Sequence, residues 1–536
     1  MAAALVCLHV APARAEISTA PCEIKAADIP AGAVVGEILI DNQNIFDLDD
    51  PAENNRVYRF ANRMHVRTQP RVIRGQLLFA SGEPYQPRLL EESERILRSR
   101  GYIYDARICP IRIDNGIVDV RVVTRDVWTL KPDIGFSREG GENEFGVRLE
   151  ESNLMGTGMS VGWARDLDVD RNTTAFFFSD QHLGDSWVAL SATIADSSDG
   201  DTFGLDVRRP FYSLQTRRAG GATFIDEERI DTLYDRGDEV EEFRHVERVL
   251  RGFFGRSTGL VGGWVRRWTV GAALEEDSFA FEPGPLQSTV LPEDRRFVYP
   301  FVGLEILEDR FEEATNLDQI GRTEDFFLGT AFRAELGFAS DMLGSDRDAL
   351  LFSSAWNYGM EPAPGRLWLF SGGLTGRWEG GSAGNTVLSG SARHFRRNSD
   401  RSVTFFSLHG DWAEDLDRDN QLLLGGDNGL RGYPLRYQSG DRRVIATIEQ
   451  RYFTDYYPLR LFRLGFAAFF DAGRTWGDNV AGAENLGLLR DFGVGMRLGS
   501  TRAGGGNVIH VDLAFPLDGE DDISALQVVF QSKATF

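Results

Sequence analysis

The strongest constraint in this sequence is a period-two alternation that begins near Lys131 and continues to Phe536, in segments of roughly ten residues broken by turn residues. In residues 186–195, Val188, Leu190, Ala192 and Ile194 share one face while Ser191 and Thr193 lie on the other. Residues 490–499 set Phe492, Val494, Met496 and Leu498 against Gly493, Gly495, Arg497 and Gly499. Residues 506–516 set Ile509, Val511, Leu513 and Phe515 against His510, Asp512 and Ala514. Side chains alternate across a strand, so every such segment has one apolar face and one polar or small face. A soluble β-sandwich also alternates, but its strands are usually shorter and its turns do not run on through about twenty segments. A meander of this length leaves exposed edges unless it closes on itself, and in lipid it must close because no backbone group can stay unpaired. The expectation is a transmembrane antiparallel β-barrel over 131–536. By eye it has about 16 to 20 segments, an even number because both chain ends return to the same side.

Composition narrows the class further. No apolar run reaches the ~18 residues of a spanning helix, and mean hydropathy is −0.27, which excludes a helical membrane protein. The 58 Gly, 37 Phe and 10 Trp suit strands with a lipid face and a polar lumen. Net charge is −23, from 58 Lys+Arg against 81 Asp+Glu. Nucleic acid is therefore not an expected partner, since its phosphates call for basic patches.

The N-terminus is a short apolar stretch ending in Ala13-Arg14-Ala15, the A-x-A form of a signal-peptidase site. Residues 1–15 read as a signal peptide whose basic leading region is missing, as in a truncated start. Its removal would take away Cys7 and leave Cys22 and Cys109, for which a disulfide and two free thiols both remain open. Residues 16–55 lack steady periodicity and read as a linker or extended arm.

A compact unit is expected over 56–126. Val57 to His65 reads as a strand, Pro70 to Leu78 as a short helix and Pro87 to Arg100 as a second helix. In the second helix Leu89, Leu90, Ser93, Ile96 and Leu97 form one face, with Pro87 near its start and Gly101 past its end. Two strands follow, Ile103 to Ile113 and Ile117 to Val123, joined by Asp114-Asn115-Gly116, whose Asn-Gly suits a tight hairpin turn. The expected order is β-α-α-β-β.

The richest loop is Gly425-Gly426-Asp427-Asn428-Gly429-Leu430-Arg431-Gly432-Tyr433-Pro434. Its glycines allow a tight fold, and its one guanidinium can bind a carboxylate in bidentate fashion. Glu449 shares the parity of Thr447 and Arg451, and Asp471 that of Arg463 and Gly465, so both carboxylates should face the lumen. The last segment places Leu526, Val528, Phe530, Ala534 and the terminal Phe536 on one parity, and Gln527, Gln531, Lys533 and Thr535 on the other. An aromatic end in register with the lipid face sits at the membrane interface.

Taken together, Leu430-Arg431-Gly432-Tyr433, Phe469-Phe470-Asp471-Ala472-Gly473, the terminal Phe536 and the small unit in front resemble the POTRA-containing outer-membrane insertase and translocase superfamily. That superfamily includes the barrel-assembly (Bam) and translocation-and-assembly (Tam) barrels and the two-partner secretion transporters. The Asn153-Leu154-Met155-Gly156-Thr157-Gly158 turn is similar to an early periplasmic turn of these proteins. The resemblance implies a barrel of about 16 strands, with the Arg431 tip folded into the lumen against Asp471 and Glu449. It also implies an outer-membrane location, a periplasmic N-terminal domain, and unfolded or exported polypeptides as clients, with accessory periplasmic proteins as further partners. Only one POTRA-like unit is visible, which leaves the client and the choice between insertion and secretion open. A passive porin or small-solute channel plugged by the loop is the alternative.

Enzyme signals are few. Gly158-Met159-Ser160-Val161-Gly162 fits G-x-S-x-G, but a nucleophile elbow needs strand, sharp turn and helix, and here a barrel-type strand continues. Asp166-Leu167-Asp168-Val169-Asp170 begins like a calcium loop yet has Arg171 and Phe177 where Gly and Glu are needed, so a solvated turn is expected. The seven His are scattered and no Cys cluster suits zinc. No catalytic residue, metal or cofactor is expected.

Overall fold

The computed structural model describes residues 22–478, 486–504, 508–519 and 523–533. The signal-peptide stretch 1–15 and the terminal Phe536 lie outside the described residues. The chain divides into two compact units at Trp128/Thr129.

In the first unit, β1 (Val34–Gln43) is followed by α1 (Arg56–Met64), α2 (Pro70–Arg74), α3 (Pro87–Arg98), β2 (Ile103–Asp114) and β3 (Ile117–Asp126). The sheet order is β1-β3-β2, with β1 parallel to β3. The β2-β3 hairpin turns through Asn115 and Gly116, both at positive φ (49° and 79°). The core joins Val35 and Ile38 of β1, Ile73 of α2, Leu90 and Leu97 of α3, and Ile108, Val118, Val120 and Val122 of the sheet. Each such side chain, fully buried, contributes about 1.5–3 kcal/mol. Cys22 and Cys109 form a disulfide that closes a loop spanning 87 positions.

Two sequence expectations are corrected in this unit. The stretch read as a strand, Val57 to His65, falls on the helix Arg56–Met64 and its C-cap His65, because Val57, Phe60 and Met64 follow a spacing of three and four, and Asn55 caps the helix by accepting from the Val57 and Tyr58 N–H groups. The first strand lies instead at Val34–Gln43, inside the stretch read as linker. A register shift between Val35 and Ile38 breaks its alternation and hides the strand from a period-two search.

The second unit is a closed, transmembrane-type antiparallel barrel of twenty strands, from Leu130–Glu139 to Gln527–Lys533. The resemblance-based count of about 16 is therefore too low. Antiparallel pairing links neighbouring strands, with register shifts such as that between Ser257 and Leu260, and two-residue turns such as Gly262-Gly263 and Gly380-Gly381 reverse the chain where no longer loop intervenes. The wall is uneven. The strands from Leu130 to Arg209 have eight to ten residues each, whereas Arg218–Asp235, Asp238–Val261 and Trp264–Phe281 have 18, 24 and 18. Outward side chains such as Phe176, Ile194, Leu250, Phe254, Trp268 and Val270 are exposed and apolar, the lipid face expected of such a barrel. In the last strand Val528 is exposed and Phe530 half-buried, while Gln527, Val529 and Gln531 are buried on the opposite parity.

Two inserts enter the lumen from opposite mouths. After the tenth barrel strand, Arg295–Glu308, a hairpin of Phe311–Thr315 and Thr323–Phe327 folds inward at the mouth where the chain enters the barrel. Its Leu317, Ile320, Phe326 and Leu328 pack against inward-facing Phe395, Val403, Phe405, Phe453, Ala467 and Val508. Residues 415–441, after the fifteenth strand, form the other insert from the far mouth.

Candidate functional site: the luminal arginine loop

The loop is built on a short stem, in which Leu422–Leu424 pairs with Gln438–Gly440. Its tip braces itself: Asn428 Oδ1 accepts from the Gly425 N–H at 2.8 Å, Asn428 Nδ2 donates to the Leu423 carbonyl at 3.0 Å, and the Leu430 N–H donates to Gly425 O at 3.0 Å. Leu430 and Tyr433 are fully buried with Leu424, Tyr437 and Leu489. The Tyr433 hydroxyl lies 2.7 Å from the Arg490 carbonyl oxygen and accepts from the Arg490 N–H at 3.0 Å. Burial raises this phenol above its ordinary range, so it stays protonated and able to donate.

This seat fixes the position of Arg431. Its Nε donates to Asp471 Oδ2 at 2.8 Å and its Nη2 to Asp471 Oδ1 at 3.0 Å, a bidentate pair. Nη1 reaches Glu449 Oε2 at 3.1 Å and Asp512 Oδ2 at 3.4 Å. The guanidinium lies 3.3 Å over the Phe469 ring centroid. Gly473, two residues beyond Asp471 on the same wall strand, faces Leu424 of the loop stem.

Three residues that sequence reasoning did not connect to the site complete it. Arg497 pairs with Asp512 and lies 3.5 Å from Glu449. Arg451 donates to Glu449 Oε1 at 3.0 Å, and its Nη1 also donates to the Leu317 carbonyl oxygen at 2.6 Å and reaches Asp318 at 3.4 Å. The buried centre thus sets Arg431, Arg451 and Arg497 against Glu449, Asp471 and Asp512, with buried Asp491 opposite Asp471, and the chain of charges continues to Asp318 of the entry-side hairpin. Pairing of this kind is needed for the ionised groups, because a buried charge without a partner is strongly destabilising. The inward parity of Arg497 and Asp512 is visible in the sequence, but their meeting with Arg431 depends on strand register, which parity does not give.

The loop also lies across the junction of the first and last strands. A side chain at Gly432 would meet Asp491 Cβ at 2.6 Å and the Pro516 N at 3.1 Å, which only glycine avoids. Tyr433 O–H lies 2.9 Å from the Asp518 carbonyl, in the loop leading to the last strand. On the other flank, Pro434 and Leu435 press against Gly140, in the turn of the first barrel hairpin. Arg436 binds Asp170 through two bonds of 2.6 Å. Beneath this bridge, among the described residues, a single register pair, Phe530 opposite Arg138, joins the last strand to the first.

The remaining sequence candidates fall elsewhere. Ser160 begins the strand Ser160–Leu167, and its hydroxyl donates to Glu150 at 3.3 Å, with no turn from strand to helix around it. Asp168 accepts from the Asp170 and Arg171 N–H groups, forming a turn, while Asp170 anchors Arg436 and the Tyr234 hydroxyl. Among the described residues no group of three His, Cys, Asp or Glu side chains is placed to hold a metal ion.

No family model and no curated protein matches the chain. Among solved structures, CdiB from Escherichia coli matches at TM-score 0.45 and 16% identity, over 94% of this chain and 76% of that one. CdiB from Acinetobacter baumannii matches at TM-score 0.43 and 12% identity, over 93% and 73%. BamA from Haemophilus ducreyi lacking POTRA domains 1–3 matches at TM-score 0.39 and 10% identity, over 93% and 85%.

Proposed function

We propose that this chain assembles or translocates polypeptides at the outer membrane, with its N-terminal unit in the periplasm and no catalytic chemistry of its own. The observation that carries this reading is the thin seam under the arginine loop. A strand pair that shares one register pair among the described residues can part, and parting exposes the N–H and C=O groups of Leu130–Glu139 and Gln527–Lys533 inside the bilayer. Unpaired backbone in lipid costs several kcal/mol per group (a rough figure), so an incoming strand that pairs with these edges is strongly favoured. The client's own folding then drives the step, without nucleotide or covalent intermediate.

In this reading Arg431 is the clamp. While it holds Asp471, Glu449 and Asp512, the loop ties the last strands to the first hairpin through Tyr433 and Leu435; when it swings out, the seam is free. The N-terminal unit receives exported, unfolded chains by adding a strand to an edge of its three-stranded sheet. Lipid and accessory periplasmic proteins are the other partners. In the alternative, a channel plugged by the loop, the same inserts would be the plug, and client handling separates the two readings.

The test is a staple. Arg138→Cys with Phe530→Cys, oxidised in the membrane, should stop client insertion or secretion and leave single-channel conductance unchanged, with activity returning on reduction. Undiminished client handling by the oxidised protein would refute the seam as the route.

A further inference from the structure

The most unusual surface on the N-terminal unit is α1. From Asn54 to Gly82 the chain carries Arg56, Arg59, Arg63, Arg67, Arg71 and Arg74 and no carboxylate, within a protein of net charge −23. The helix buries none of its residues. The side facing the unit is set by Tyr58, stacked on Phe46 at 4.2 Å between ring centroids, and by Asn62, which donates to Phe46 O at 2.8 Å and accepts from the Phe46 N–H at 3.1 Å. Val57, Phe60 and Met64 lie on a different face and are 70%, 61% and 58% exposed. Arg56, Arg59 and Arg63 form a row beside them, and among the described residues none of the three has an ion-pair partner.

An apolar row flanked by a basic row is the pattern of a helix that lies in the plane of a membrane interface. Basic charge alone would also suit an acidic polypeptide, but such a ligand does not call for three large, contiguous apolar side chains in water. Only residues 127–129 separate β3 from the first barrel strand, so with the barrel in lipid even a weak lipid contact of the unit acts at high effective concentration.

We propose that α1 docks on anionic phospholipid of the leaflet facing the N-terminal unit. Val57, Phe60 and Met64 enter the boundary of the acyl chains, while Arg56, Arg59 and Arg63 meet the phosphates. The contact gives the unit a membrane-facing side and leaves its sheet edges for other partners. It does not depend on the seam mechanism.

The full chain, in a Cys7→Ser background with the Cys22–Cys109 disulfide intact, is labelled with a nitroxide at Phe60→Cys and reconstituted in nanodiscs of phosphatidylcholine with or without phosphatidylglycerol. With phosphatidylglycerol the label should become accessible to oxygen and shielded from a water-soluble nickel chelate. A label at Glu91→Cys, an exposed position on α3, should stay accessible to the chelate throughout. Neutralising Arg56, Arg59 and Arg63 to Gln should lower the docked population about a hundredfold, and high salt should act the same way. Three results would overturn the proposal: a Phe60 label open to the chelate in both lipids, dipolar broadening that marks a second copy, or shielding only when an acidic polypeptide is added. The Arg138–Phe530 staple should leave the docking unchanged, so its failure and that of the seam reading are separable.

Discussion

The back wall and the seam of this barrel are made from the same alternating pattern, yet they are joined very differently. Every residue of Arg218–Asp235 pairs with Asp238–Val261, whereas among the described residues the first and last strands share one register pair, Arg138 and Phe530. Each net backbone bond contributes about 0.5–1.5 kcal/mol even against water, so separating the back wall is far costlier than separating the seam. The buried charge follows the same division. Glu449, Asp471, Arg497 and Asp512 all stand on the last five strands, and Arg431 is delivered to them by a loop. Under the proposed function, strength along the back wall is intrinsic to its strands, while at the seam it is borrowed from an insert.

The largest expected effect follows from removing that insert's anchor. Arg431→Ala leaves three buried carboxylates short of a partner and should cost about 3–5 kcal/mol, read as a lower denaturant midpoint for the barrel in lipid. Phe326→Ala should cost about 3 kcal/mol or more by opening a cavity in the cluster that seats the entry-side hairpin; the checkable consequence is larger single-channel conductance with the seam still closed.

A pH effect on the same hairpin should be smaller. Burial, reinforced by Asp318, raises the Glu324 carboxyl from 4.5 to about 7 although it accepts backbone N–H bonds from Leu317 and Asp318. The seated hairpin therefore favours the protonated acid. Its stabilisation is complete below about pH 4.5 and is lost as pH rises to about 7. Conductance should rise across that interval and be flat in Glu324→Gln. The smallest effect belongs to the back wall: Arg248→Ala, which breaks a half-exposed pair with Asp226, should cost less than about 1 kcal/mol. A loss as large as that of Arg431→Ala would erase the distinction between the two regions.

Much of this was legible in the residues. Alternation at 490–499 and 506–516 assigns the lipid and luminal faces, because parity alone sets which side a strand residue occupies. Parity also turns Glu449 and Asp471 inward, and the Gly-rich run around Arg431 marks a loop able to fold tightly. What parity cannot give is register, so Arg497, Asp512 and Arg451 could be placed on the inner face but not beside Arg431. Nor can it tell a wall strand from a hairpin folded inside: Phe311–Thr315 and Thr323–Phe327 look like two more short segments, which is why strand number stayed a range. Helix α1 reads as a strand in the sequence because Val57, Tyr58 and Phe60 favour strands individually, while the spacing to Met64 and the Asn55 cap favour a helix collectively.

Hydrogen–deuterium exchange of the full chain in lipid addresses the seam most directly. The amides of Leu130–Glu139 and Gln527–Lys533 should exchange measurably faster than those of Arg218–Asp235, and faster still in Arg431→Ala. Equal protection around the whole barrel, unmoved by that substitution, would contradict a seam held shut by the arginine loop.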